Sequence, residues 1–173
     1  TNTTGDKNTG VGVGALLANT TANDNTAVGY LSLFANTTGT TNVAVGTQAL
    51  CSNVTGSCNT AIGQEAGSKH TATNLTAVGY LAGACNTSGG ANTAIGSQAG
   101  KNNTTGGCNV AMGFSALTAN TTGTSNVALG KSALTANTTA DDNTAVGYQT
   151  LQDNTTGIRN VALGKNALAN NTT

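Results

Sequence analysis

Apolar and polar positions recur along this chain with a fixed period. Segments such as Asn25-Thr26-Ala27-Val28-Gly29 and Asn42-Val43-Ala44-Val45-Gly46 are each followed by a short Ala-Leu stretch and then by a polar Asn-Thr-Thr-Gly run. Gly12, Gly29, Gly46, Gly63, Gly79, Gly96, Gly113, Gly130, Gly147 and Gly164 are spaced 17 residues apart, with one step of 16. The shared unit reads N-(T/V)-A-(V/I/L/M)-G-x-x-A-(L/G)-x-x-N-T-T-G-x-x and is numbered here as positions 1 to 17. Units start at Asn8, Asn25, Asn42, Asn59, Leu75, Asn92, Asn109, Asn126, Asn143 and Asn160, so residues 1–173 form a single array of about ten units. The short unit, 59–74, replaces N-T-T-G with His70-Thr71-Ala72-Thr73-Asn74.

A period this strict makes each unit one structural element that buries itself only by stacking on its neighbours. Two-helix repeats need more residues per unit and do not tolerate Asn, Thr and Gly at these densities. The pattern predicts an all-β, single-domain β-solenoid with one coil per unit. Positions 1 to 5 alternate and carry β-branched residues, which predicts a strand. Positions 7 to 10, as in Gln48-Ala49-Leu50 and Ser132-Ala133-Leu134, read as a second short strand. Gly at position 5 and the N-T-T-G run mark corners. Ala at position 3 reads as a thin interior, with apolar stripes from the aliphatic at position 4 and the Leu or Gly at position 9. Positions 3 and 4 face opposite ways, and one of them points into the coil. At about 4.8 Å per coil, ten coils make a rod roughly 48 Å long. Neither end carries a polar cap, which predicts sticky ends: the chain is a segment of a longer repeat array, or its rods stack head to tail.

Composition narrows this further. Thr (34), Ala (27), Asn (24) and Gly (24) dominate, Pro and Trp are absent, and aromatics are 3%. Such a chain cannot build a core from large interdigitating side chains, so hydrogen bonds between coils must carry more of the stability. Six Lys+Arg balance six Asp+Glu, which leaves no electrostatic footprint for nucleic acid. No apolar run approaches the roughly 20 residues of a membrane span. No catalytic constellation, cofactor motif or calcium loop appears, and an enzyme is not expected. His70 stands alone in the altered corner and reads as a polar surface residue.

Identical side chains stack in such a fold. Asn8, Asn25, Asn42, Asn59, Asn92, Asn109, Asn126, Asn143 and Asn160 at position 1 predict an Asn ladder with amides bonded along the rod. At position 12, Asn19, Asn36, Asn53, Asn86, Asn103, Asn120, Asn137, Asn154 and Asn171 each open an N-x-S/T tripeptide, as does Asn2. Asn74 restores one in the altered coil. Two readings compete: a glycan on every coil, or a turn capped by the Asn and Thr side chains. The second is favoured, although the restored acceptor at Asn74 argues for the first. The Thr rows also raise ice binding, but adjacent Thr at positions 13 and 14 point apart on a strand.

Cys51 and Cys58 sit at positions 10 and 17 of one coil, Cys85 at position 11 of the fifth and Cys108 at position 17 of the sixth. Cys58 and Cys108 are three coils apart, about 14 Å along the rod, too far for a bridge. The expected pairs are Cys51–Cys58 and Cys85–Cys108, which place the chain in an oxidising, extracellular setting. The alternative is four free thiols.

The core Asn126-Val127-Ala128-Leu129-Gly130, with Asn59-Thr60-Ala61-Ile62-Gly63, resembles the head repeats of YadA-like trimeric autotransporter adhesins. The longer form, Asn143 to Gln149 followed by Asn154-Thr155-Thr156-Gly157, is similar to repeats of phage tail-fibre-like proteins. The resemblance implies a left-handed β-roll and a trimeric or other lateral homo-oligomer. The expected function is a structural extracellular fibre built from rods stacked end to end. The alternative is an adhesin head or tail-fibre shaft, secreted, cell-surface or virion-borne, that binds a cell-surface or glycan receptor at positions 6, 7, 10 and 11.

Overall fold

The computed structural model describes residues 2–173. It is a β-solenoid of parallel three-residue strands, one per coil: β1 (Thr9–Val11), β2 (Thr26–Val28), β3 (Val43–Val45), β4 (Thr60–Ile62), β5 (Thr76–Val78), β6 (Thr93–Ile95), β7 (Val110–Met112), β8 (Val127–Leu129), β9 (Thr144–Val146) and β10 (Val161–Leu163). They form one ten-stranded sheet in chain order. Each residue pairs with its equivalent one period on, as Ala27 with Ala44 and Ala44 with Ala61. The short unit keeps this register, with Ala61 opposite Ala77. Its missing residue is absorbed in the corner, where the backbone need not hold a strand.

Strand alternation sends position 3 inward. Ala27, Ala44, Ala61, Ala77, Ala128 and Ala145 are fully buried, whereas positions 2 and 4 face out and are half-exposed in most coils. The aliphatic at position 4 is therefore a surface stripe and not part of the core. The interior is filled by the Ala at positions 3 and 8 and by Leu33, Leu50, Leu117, Leu134 and Leu151 at position 9. Only an Ala methyl fits between the sheet and the opposite wall, which explains a core without large aromatics.

The second strand expected at positions 7 to 10 does not form. Gln48 and Leu50 take φ of 57° and 49°, while Ala49 between them keeps a negative φ. That alternation is incompatible with an extended strand. Turns close instead, with Ala49 N–H donating to Gly46 O (3.3 Å) and Asn53 N–H to Leu50 O (3.0 Å). The segment still bonds to its neighbours along the rod: Gln48 N–H donates to Tyr30 O (2.8 Å) and Leu50 N–H to Ala66 O (3.0 Å). Holding a non-glycine residue left-handed costs about 1 kcal/mol or more; positions 7 and 17 incur it in nearly every coil and position 9 in seven of them. The repeated bonds between coils offset that strain.

Three coils carry Gly67, Gly83 and Gly100 in place of the position 9 Leu. Leu75, which replaces Asn at position 1, is buried and fills the space over the first two; a Cβ built on Gly67 would lie 2.7 Å from its side chain. Beside Gly83 and Gly100 a void remains, lined by Leu75, Asn92, Ala94 and Leu117 and sized for no ligand larger than water.

Candidate functional site

Two polar columns run inside the rod. At position 1, Asn25 Oδ1 accepts the backbone N–H of Asn42 (3.0 Å), and Asn42 Oδ1 accepts that of Asn59 (3.0 Å). At position 12 the bond runs from amide to amide: Asn36 Nδ2 donates to Asn19 Oδ1 (3.2 Å), and Asn120 Nδ2 to Asn103 Oδ1 (2.8 Å). One carbonyl clamps both columns in most coils. Gly39 O accepts Nδ2 from Asn25 and Asn36, both at 2.9 Å. Gly56, Gly106 and Gly123 repeat the arrangement. Position 12 is thus a second ladder, which the N-x-S/T pattern concealed.

The glycan reading fails on burial for most of its residues. Asn19, Asn36, Asn53, Asn86, Asn103, Asn120, Asn137 and Asn154 are buried, and their Nδ2 groups are committed to carbonyls inside the rod. A sugar on such a nitrogen has no room in the folded coil. Asn171 is half-buried and donates to Asn154 Oδ1 (3.2 Å), and Asn74 is exposed with φ 63° in the altered corner.

The Thr after a ladder Asn is committed in the same way in several coils. Thr87 Oγ1 donates to Thr104 O (2.9 Å), Thr104 Oγ1 to Thr121 O (2.9 Å) and Thr121 Oγ1 to Thr138 O (3.0 Å). The Thr at position 14 points outward. Thr104→Val is therefore expected to lower the unfolding free energy by about 1 kcal/mol, the net worth of one neutral hydrogen bond. Thr105→Val, at an exposed neighbour with no side-chain partner, should change it by under about 0.5 kcal/mol. Urea denaturation of the two variants separates a bonded Thr column from a surface row; equal effects would contradict the ladder.

His70 occupies position 12 of the short coil and interrupts this ladder. It is fully buried, not a surface residue as expected: the neighbouring coils enclose position 12 whatever residue stands there. Neither ring nitrogen has a hydrogen-bond partner, and Asn53 Oδ1 facing it from the preceding coil is also unpaired. Burial pushes its pKa down to about 4, and the Ala72 backbone, near the ring but outside hydrogen-bond geometry, opposes this only weakly. The signal was in the sequence, because counting from Asn59 places His70 in register with Asn53 and Asn86.

Neither expected disulfide forms. Cys51, Cys58, Cys85 and Cys108 are all free thiols. Cys51 Sγ contacts Ser68 O of the next coil (3.3 Å), so it points along the rod and not across the corner to Cys58. Cys58 and Cys108 sit exposed at the left-handed position 17, with φ of 59° and 57°. Among the described residues no three His, Cys, Asp or Glu side chains converge as metal ligands, and no helix is long and apolar enough to cross a membrane.

Two outer surfaces remain. The sheet face presents Thr or Val at position 2 and Val, Ile, Met or Leu at position 4, ten strands long and without a charge. Beside it, position 6 carries Tyr30, Tyr80, Phe114 and Tyr148, each between 40% and 51% exposed. No protein-family model, curated protein or solved structure matches the chain.

Proposed function

We propose that this solenoid is a structural rod, the building block or shaft segment of an extracellular fibre, with no catalytic role. The observation that carries the reading is the axial register: ten parallel strands continue unbroken from coil to coil, and two Asn columns and a Thr column follow them over most of the rod. β1 and β10 are each paired on one side only, so further coils, of the same chain or of a second copy, can add in the same register. The extracellular placing follows from the fibre reading alone, since no disulfide supports it. Electron microscopy of the purified chain tests it. Filaments many times longer than the roughly 48 Å of one rod are the expected result; uniform short particles would count against it.

The uncharged sheet face supports lateral pairing of rods, as a dimer or a trimer. A lysine at its centre must lose its hydration or break the contact. The double variant Val78→Lys/Ile95→Lys is expected to leave the circular dichroism spectrum unchanged and to reduce bundles to single rods in sedimentation velocity. Unchanged bundle mass would show that another face is used.

The adhesin-head or tail-fibre reading is favoured by one observation, the exposed aromatics at the variable position 6. Ice binding by the N-T-T rows has less support, because the position 13 hydroxyls are spent on backbone carbonyls.

A further inference from the structure

In the last four coils position 6 alternates ring and cation: Phe114, Lys131, Tyr148, Lys165. Lys131 Nζ lies 5.8 Å from the ring centroids of both Phe114 and Tyr148, and Lys165 Nζ lies 5.9 Å from that of Tyr148. The rings thus hold two ammonium groups in one line along the rod, each attracted to the negative face of an aromatic ring. All four side chains are exposed. Among the described residues the one ion pair is Arg159 with Asp142, so neither lysine has a carboxylate partner. No acidic residue occupies position 6 or 7 of these coils, and position 7 offers neutral donors and acceptors in Ser132 and Gln149. The ring faces look along the axis toward the lysines and offer no flat stacking platform; their outward edges carry the positive part of the ring quadrupole.

We propose that this ridge binds a linear acidic polysaccharide with one carboxylate per disaccharide. The two ammonium groups are two coils apart, about 9.6 Å, which is close to the advance of an extended glycan chain over one disaccharide. Each step along the ridge then meets one carboxylate and a run of sugar hydroxyls. Nucleic acid fits worse, because its phosphates are spaced far more closely, at about 3.4 Å of rise per strand. The inference rests on the solenoid and not on polymerisation, although a fibre would multiply the ridge and raise its avidity.

Affinity electrophoresis of the intact chain through gels containing hyaluronan, neutral dextran or duplex DNA tests the proposal. Retardation by hyaluronan is expected, with none by dextran and weaker retardation by DNA. Lys131→Ala/Lys165→Ala should weaken the hyaluronan interaction at least ten-fold with an unchanged circular dichroism spectrum, and Tyr148→Leu should weaken it less. Lys69→Ala/Lys101→Ala, which removes the same charge elsewhere, should not change it. No retardation by hyaluronan, equal retardation by DNA, or equal loss from both double-lysine variants would overturn it.

Discussion

His70→Asn is expected to stabilise the rod and to remove most of its sensitivity to mild acid. In the parent, Asn53 Oδ1 and both His70 ring nitrogens are buried without partners. Each such group costs about 1–3 kcal/mol. An Asn at this position can donate Nδ2 to Asn53 Oδ1, as Asn36 does to Asn19 in a normal coil. A gain of about 1 kcal/mol at pH 7 follows once the smaller side chain's packing loss is subtracted. The pH dependence is larger. The folded chain holds His70 neutral down to about pH 4, whereas the unfolded chain takes up a proton near the ordinary histidine value of 6.5. The unfolded state therefore binds more protons through that window, and stability is intact above pH 6.5 and lost as pH falls toward 4. The shift corresponds to about 3 kcal/mol by pH 4, after which the loss levels off. Urea denaturation from pH 7.5 to 4 should show parent and variant diverging as pH drops. Parallel curves would mean that His70 finds a partner or solvent in the folded state.

Gly113→Ala is the other large expected effect. Gly113 has φ 132°, which side chains with a Cβ rarely adopt, and a Cβ there would lie 2.6 Å from the carbonyl carbon and oxygen of Gly130 in the next coil. The obstacle is backbone, and it cannot yield without pulling β7 away from β8. Backbone strain and steric overlap together should cost about 3–5 kcal/mol. Because each coil touches only its neighbours, the damage should open the rod locally. Limited proteolysis is expected to cut near coils seven and eight before the rest of the chain. Gly164→Ala is the control: its φ is also positive, 115°, but nothing lies within 4 Å of the built Cβ. It should lose only the conformational part, about 1–2 kcal/mol. Equal losses for the two variants would show that contact between coils plays no part.

The period alone determined the architecture. Seventeen-residue spacing with alternation over positions 1 to 5 specifies stacked coils and one parallel strand in each, because only axial stacking satisfies identical units that cannot bury themselves singly. It also named the position 1 ladder residues, since equivalent positions must lie above one another. What the sequence left open concerned direction. Alternation placed positions 3 and 4 on opposite sides but did not say which was inside; the narrow interior decided for Ala. Gln48 and Leu50 looked like strand residues by their side chains, but closing a 17-residue coil required left-handed backbone there. The position 12 Asn looked like glycan acceptors because a tripeptide pattern carries no burial. In the fold their amides point into the rod, and the same enclosure turns His70 from a loop residue into a buried neutral base. Their places in the coil suggest two cysteine pairs, yet Cys51 points along the axis, and side-chain direction, unlike spacing, is set only by the backbone angles of the finished turn.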